Sequence, residues 1–148
     1  MPYTLTVEPD DFRAVHDVIR RGIRGADPSD VGARDYQALC LSLRDAADDG
    51  IVGGLIGATM WAWLMIDGLW VAEALRGRGL GGQLLARSEA VAAERGCRGV
   101  WLGTFDFQAR PFYERHGYTV FAEFPGFPSG HTHFHLRKDL TPSPPARA

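Results

Sequence analysis

Glycine residues crowd one short stretch of this chain, where an apolar strand-like segment gives way to a helix-like one. Residues 71–82 read Val-Ala-Glu-Ala-Leu-Arg-Gly-Arg-Gly-Leu-Gly-Gly. In such a turn, successive backbone N–H groups can point into one concavity, and the dipole of the helix adds positive potential there. Side chains would obstruct a phosphate at this place, and Arg76 and Arg78 add mobile positive charge. The stretch therefore predicts a binding site for a pyrophosphate-bearing ligand.

A dinucleotide is one candidate for that ligand. Gly77, Gly79 and Gly82 satisfy the G-x-G-x-x-G fingerprint of dinucleotide-binding folds. That fingerprint follows its strand almost at once near the start of a βαβαβ unit, whereas here residues 72–76 intervene and several predicted strands come first. Too little chain follows Gly82 to complete such a fold. A dinucleotide-dependent oxidoreductase is therefore the less favoured alternative.

Three histidines form a second group of residues that could do chemistry. His131, His133 and His135 are spaced at i, i+2 and i+4, which puts them on one face of a predicted strand. Such nitrogens could share a metal ion, but no carboxylate or cysteine accompanies them. We therefore favour a polar strand face beside a substrate cleft, and we predict no metal site.

Hydrophobic periodicity indicates the elements that would position these residues. A helix should follow Asp10-Asp11, with an apolar stripe at Phe12, Val15, Ile19 and Ile23. Further helices are predicted from Leu80 to a cap at Gly96 and over roughly residues 107–116. Strands are predicted at residues 3–7, 36–43, 51–59, 63–71, 97–104, 118–124 and 131–138. The order β-α-β-β-β-α-β-α-β-β predicts a mixed α/β domain.

Size and composition exclude several classes of protein. The 148 residues suit one domain, expected over residues 1–140, before a frayed proline-rich tail at 141–148. A net charge of -2 argues against a nucleic-acid partner, and no apolar run approaches the roughly 20 residues that cross a bilayer. No signal peptide is visible, and Cys40 and Cys97 lack metal-ligand spacing, so we expect reduced, packed thiols. These features favour a cytoplasmic protein without a membrane partner.

The glycine stretch resembles a signature of the GNAT superfamily of acetyl-CoA-dependent N-acetyltransferases, [QR]-x-x-G-x-[GA]. Arg76, Gly79 and Gly81 match it, and Leu69-Trp70-Val71 matches the strand end that precedes it. Glu73 stands where many members have proline. Residues 107–110, Phe-Gln-Ala-Arg, and residues 128–131, Pro-Ser-Gly-His, are similar to segments of a bacterial subgroup of this family, and the resemblance implies no particular acceptor.

A second motif strengthens this resemblance. Residues 106–109, Asp-Phe-Gln-Ala, followed by Phe112-Tyr113 and Gly117-Tyr118, match N-x-x-A with an aromatic-Tyr pair and Gly-[FY]. Asp106 replaces the usual Asn, which is a departure from the pattern. Together the motifs cover residues 69–140, whereas residues 1–60 match only in layout.

The resemblance implies both a fold and a donor site. The fold is α/β, with a mixed, mainly antiparallel central sheet of about seven strands, flanked by helices and splayed at the fourth and fifth strands. Acetyl-CoA would be the acetyl donor, and a homodimer is compatible with the family. The implied donor-binding residues are Leu69, Trp70, Val71, Arg76, Gly77, Arg78, Gly79, Leu80, Gly81 and Gly82, with Asp106 and Phe112 beside the pantetheine arm.

The implied reaction moves the acetyl group to a primary amine of a small molecule or a protein by direct attack. Tyr113 would be the general acid, since a phenol stays protonated near neutrality. Asp67 is the candidate base, on the same strand face as Leu69 if no bulge intervenes, and Glu73 or a water chain are the alternatives. The acceptor is expected between residues 22–30 and 124–133. A catalytically weak acyl-CoA-binding sensor is the other open interpretation, because of Asp106 and the modest base.

Overall fold

The computed structural model describes residues 2–140, which divide into two compact units. The first unit ends at Ala33 and contains helix α1 (Arg13–Gly25) and a 3-10 turn at Ser29–Val31. Helix α1 confirms the helix predicted after Asp10-Asp11. The strand predicted at residues 3–7 is wrong: no strand pairs with these residues, and an alternating segment becomes a strand only by hydrogen bonding to another.

The second unit is built on a six-stranded mixed sheet with the order β1-β2-β3-β4-β6-β5. Its strands are β1 (Gln37–Arg44), β2 (Ile51–Met60), β3 (Trp63–Val71), β4 (Gly99–Phe105), β5 (Thr119–Pro125) and β6 (Thr132–Asp139). All neighbours are antiparallel except β3 and β4, which are parallel. The predicted fold class is confirmed, with six strands instead of about seven because residues 3–7 do not join the sheet.

Two helices complete the second unit: α2 (Leu80–Glu94) and the short α3 (Arg110–Arg115). Helix α2 contacts β1 to β4, and its Leu85 joins the central strands in one core. Each central strand contributes a fully buried residue to that core: Leu64 of β3, Val100 of β4 and Leu136 of β6. Burial of this one sheet face fixes the register of the strands, because a slip by one residue would expose the whole set.

The two cysteines have different environments. Cys97 is buried in the core, as predicted, and burial raises the pKa of its thiol. Cys40 is exposed on the edge strand β1, so the prediction of a packed thiol is wrong there. Leu39 and Leu41 point toward the core on either side of it, and alternation turns Cys40 to the other face.

Strands β3 and β4 separate partway along their length. Their register ends at the pair Ile66 and Leu102, although β3 continues to Val71 and β4 to Phe105. Beyond that point β3 is paired only with β2, and β4 only with β6. The predicted splay is therefore present, and it leaves a wedge-shaped opening inside the sheet.

Two predictions about the domain boundaries are not tested by residues 2–140. The proline-rich tail at residues 141–148 lies outside the described residues, and a single domain over residues 1–140 stays a prediction. Within residues 2–140, no helix is long and apolar enough to span a bilayer.

Candidate active site

The opening between β3 and β4 is the mouth of a cleft of about 860 Å³. This volume lies within the range of roughly 300–1,000 Å³ that is typical of small-molecule sites. Most of the predicted site residues line it: Asp67, Leu69, Trp70, Val71, Arg76, Gly77, Gly79, Leu80, Gly81, Gly82, Phe112 and Tyr113. The predicted Arg78 and Asp106 are not among its lining residues. The fold thus brings together residues from β3, the glycine loop, α2 and α3.

The glycine loop connects β3 to α2 through left-handed backbone conformations. Gly77 has φ +76° and Gly79, the residue before α2, has φ +78°. Side-chain-bearing residues rarely adopt these values. A Cβ added at either position would meet no heavy atom within 4 Å. Glycine is therefore needed here for the path of the backbone, and that path turns the N-terminus of α2 toward the cleft.

Gly81 and Gly82 lie where α2 meets the α3 region. A Cβ on Gly81 would lie 3.3 Å from Cζ of Phe112, and one on Gly82 would lie 2.8 Å from Nε2 of His116. The sequence predicted that these glycines leave room for a phosphate. That role stays a prediction, whereas the structure shows that these glycines allow α2 and α3 to approach closely.

Arg76 is anchored beside the loop. Its Nε donates a hydrogen bond to the carbonyl oxygen of Val71 at 3.0 Å. This bond holds the guanidinium at the end of β3, next to the N-terminal turn of α2. Both features favour a negatively charged group at this end of the cleft.

Asp67 lies at a bulge in β3. The register with β2 shifts between Ile56 and Gly57, and Asp67 has no opposite residue there. The buried residues of β3 before Asp67 have even numbers, as Ile66 has, whereas the buried residue after it, Val71, has an odd number. The prediction that Asp67 lies on the same strand face as Leu69 required a regular strand, so the bulge removes its basis. Asp67 is exposed and still lines the cleft.

Glu73, the other candidate base, occupies the 3-10 turn at Glu73–Leu75. It is exposed, and the lining of the cleft does not include it. The structure therefore brings Asp67, and not Glu73, to the same cleft as Tyr113.

Tyr113 contributes a buried phenol to the cleft. It lies in α3, is 7% exposed, and packs edge-on against Phe112 and Tyr118 at 5.1 and 5.8 Å between ring centroids. Burial raises the pKa of Tyr113. The phenol therefore stays protonated at neutral pH and is available as a proton donor.

Asp106 is directed toward the hairpin between β5 and β6. Its carboxylate accepts hydrogen bonds from Nδ1 of His131 at 2.8 Å and from the backbone N–H of Thr132 at 3.0 Å. Partial burial would raise the pKa of Asp106, but these bonds outweigh it and lower the pKa. This placement departs from the predicted contact with a pantetheine arm. Asp106 instead ties the end of β4 to the hairpin.

The cleft also contains residues that the sequence reasoning did not single out. Gln108 lines it, and its Oε1 accepts a hydrogen bond from the N–H of Phe105 at 3.0 Å. His116 lines it too, with Nδ1 donating to the carbonyl of Phe112 at 2.8 Å. Gln108 lies inside the second motif and could have been proposed. His116 carries no such signal, because its place depends on how closely α3 approaches α2.

The histidines do not assemble as one row. His131 precedes β6 and pairs with Asp106, whereas His133 and His135 lie in the strand with their ring centroids 4.8 Å apart. Burial, and then the neighbouring His135, lower the pKa of His133. In the part of the chain that the structure describes, no three His, Cys, Asp or Glu side chains are grouped so that they could hold a metal ion.

The sequence matches the model of the acetyltransferase (GNAT) family over residues 5–118. This range includes β3, the glycine loop, α2 and Tyr113. The match therefore covers the elements that surround the cleft.

Individual acetyltransferases are similar as well. A blasticidin-S acetyltransferase of Streptomyces morookaense is 48% identical over 91 residues, which are 61% of this chain and 67% of that protein. An acetyltransferase of Agrobacterium fabrum is 36% identical over 107 residues, 72% of this chain and 77% of that one. A crystal structure of an acetyltransferase from Bacillus cereus superposes with a TM-score of 0.78 at 28% identity, covering 93% and 96% of the two chains.

Proposed function

Because the chain belongs to the GNAT family of acetyltransferases, we propose that it transfers the acetyl group of acetyl-CoA to a primary amine of a small molecule or a protein. Acetyl-CoA is the acetyl donor of this family. The observation that carries the proposal is the single cleft that joins the glycine loop to Tyr113 through the opening between β3 and β4. The glycine loop and Arg76 suit an anion, and Tyr113 presents a protonated phenol to the same cleft.

The donor would lie along the cleft with its pyrophosphate at the glycine loop. The N-terminal turn of α2 and Arg76 supply positive potential there. The thioester would then reach the opening, where backbone groups of β3 beyond Ile66 no longer pair with β4. An N–H of this segment can donate a hydrogen bond to the thioester carbonyl oxygen and stabilise the negative charge that develops on it. Arg78 remains a proposed contact of the pyrophosphate from outside the described lining.

The transfer itself needs a neutral amine, and Asp67, which lines the cleft, would receive the proton that the ammonium form must lose. The amine nitrogen then attacks the carbonyl carbon, the carbon–sulfur bond breaks, and the thiolate leaves. Tyr113 donates its phenolic proton to that sulfur as charge develops on it, and the second proton, which the attacking nitrogen must lose to become an amide, returns through water to the Tyr113 phenolate. Alignment of amine and thioester in one cleft supplies much of the acceleration.

The test is release of free thiol from acetyl-CoA in the presence of individual amines, with the acetylated product identified by mass. Blasticidin S belongs in the panel, because a relative with 48% identity is named for it. A peptide amine and small primary amines complete the panel. Acetyl-CoA binding without acetylation of any amine would favour the acyl-CoA sensor instead.

A further inference from the structure

A group of touching aromatic rings lies beside the opening between β3 and β4. We define it as the aromatic cluster, which consists of Phe105, Phe107, Phe124, Phe127 and His133. Phe105 is at its centre, stacked on Phe107 at 5.2 Å and 8°, and tilted against His133 at 4.4 Å. Phe127 contacts Phe105, Phe124 and His133 at 5.1 to 5.8 Å between centroids. The cluster joins the end of β4 to the β5–β6 hairpin.

The cluster lies on the sheet face opposite the core. Val100 and Leu102 of β4 are buried, so alternation turns Gly103 and Phe105 to the other face. His133 is opposite Phe105 in the register of β4 and β6, and Phe124 is opposite His133 in that of β5 and β6. Three strands therefore aim rings at one place.

These rings are exposed to an extent that packing alone does not explain. Phe107 and Phe124 are 56% exposed and Phe127 is 47% exposed. Single exposed apolar side chains are ordinary, but a contiguous group of them marks a binding surface. Adjacent phenylalanines that are about half exposed suit a flat partner, because offset stacking gains energy beyond the area that it buries.

The cluster continues into the cleft. Phe107 and Gly103 line the cleft, and Phe107 also stacks on Phe105. Gly103 allows this continuity, because a Cβ there would lie 2.6 Å from Cε1 of His133. Asp67 lines the same cleft. A molecule with a ring on the cluster can thus extend an amine into the opening.

We propose that the aromatic cluster is the acceptor subsite, and that it selects primary amines carrying a planar aromatic ring. This inference rests on the proposed function for the identity of the bound molecule as an acceptor. The ring would stack on Phe107 and Phe127, while the amine would reach toward Asp67. Burial and the neighbouring His135 lower the pKa of His133, which favours the neutral imidazole beside a bound amine.

The experiment compares two amines of similar size, benzylamine and cyclohexylmethylamine, which differ in whether the ring is flat and aromatic. Calorimetric affinities are measured in the presence of CoA, so that no turnover takes place. We expect benzylamine to bind at least fivefold more tightly, and we expect Phe127→Ala to abolish that preference. Phe121→Ala is the matched control, because Phe121 is 53% exposed on the same hairpin but stacks on His135 outside the cluster.

Equal affinities of the two amines, or no binding of either, would overturn the subsite. A preference that survives in Phe127→Ala, or that disappears equally in Phe121→Ala, would overturn it as well. Acetylation is then measured separately with acetyl-CoA. Binding of benzylamine without acetylation of any amine would contradict the proposed function and leave the subsite standing, so the two failures are distinguishable.

Discussion

The phenol of Tyr113 is the residue on which the proposed chemistry depends most. Tyr113→Phe keeps the ring and its packing but removes the proton that would go to the departing sulfur. We expect turnover to fall about 100-fold, with the affinity for acetyl-CoA little changed. Single-turnover kinetics measure this, because they separate the chemical step from product release.

Tyr118→Phe is the control for that experiment. Tyr118 is also a buried tyrosine and contacts Tyr113, but the cleft lining does not include it, and its hydroxyl donates to Glu89 at 3.5 Å. Its variant should keep wild-type turnover. Unchanged single-turnover rates in Tyr113→Phe would reduce Tyr113 to a packing residue.

Asp106 offers a second test at the scale of one side chain. Asp106→Asn installs the residue that the family usually has, but it weakens the charge-assisted bond from His131. Since that bond anchors the hairpin carrying Phe127, we expect the acceptor KM to rise several-fold. Acetyl-CoA affinity should not change, because the carboxylate faces the hairpin. A tighter or weaker Kd for acetyl-CoA, measured by calorimetry, would restore Asp106 as a pantetheine contact.

The residue scale also shows what the sequence could and could not predict. The glycines at 77, 79, 81 and 82 were enough to predict where the loop lies, because glycine tolerates both the positive φ angles and the close contacts of such a loop. The sequence did not show why each position requires glycine. Gly79 is required by its own positive φ, whereas Gly82 is required by the close approach of His116, 34 residues away in the chain. A requirement of the local backbone can be predicted from the neighbouring sequence, whereas a contact between distant segments cannot.

At the scale of elements, the turn between β3 and α2 can be tested through its backbone. Gly79→Val forces a β-branched residue into φ +78°, which costs roughly 1–2 kcal/mol or distorts the loop. We expect the Kd for acetyl-CoA to rise at least tenfold, because the amides of the loop no longer converge. Calorimetric titration measures this in protein shown to be folded by circular dichroism.

Gly96→Val is the matched control for the loop. Gly96 follows the other end of α2, has the same φ of +78°, and would also meet nothing within 4 Å. It should lower stability to a similar extent while acetyl-CoA affinity is preserved. If both variants lost affinity equally, strain on α2, and not the loop, would be responsible.

The elements differ in how well their predicted bounds agree with the structure. Strand β3 has the predicted bounds, residues 63–71, since its alternation and its turn neighbours are local. Residues 3–7 show the same alternation and form no strand, because pairing depends on a partner that their own pattern does not contain. The bulge at Asp67 was invisible for a related reason: it is a mismatch between two strands, and only the register reveals it.

At the scale of the whole molecule, two buried tyrosines make stability sensitive to alkali. Burial raises the pKa of Tyr113, and burial together with Glu89 raises that of Tyr118. In the unfolded chain a tyrosine ionises near pH 10. Above that pH the unfolded state binds fewer protons than the folded state, so the free energy of unfolding falls as pH rises.

Urea denaturation between pH 8 and pH 11 would measure this loss. Each tyrosine should contribute a slope of about 1.4 kcal/mol per pH unit above its unfolded pKa. Tyr113→Phe and Tyr118→Phe should each make the decline shallower. A decline of unchanged steepness in both variants would assign the alkaline sensitivity to other groups.

The opening between β3 and β4 has a consequence for how this protein can change over time. Main-chain atoms there are the same whatever side chains the strands carry, so mutation does not easily remove the hydrogen-bond donors proposed for the thioester. The rings of the aromatic cluster, by contrast, are side chains, and one nucleotide change can replace any of them. If the aromatic cluster selects the acceptor as proposed, substitutions in it can change which amine is accepted while the acetyl donor stays the same.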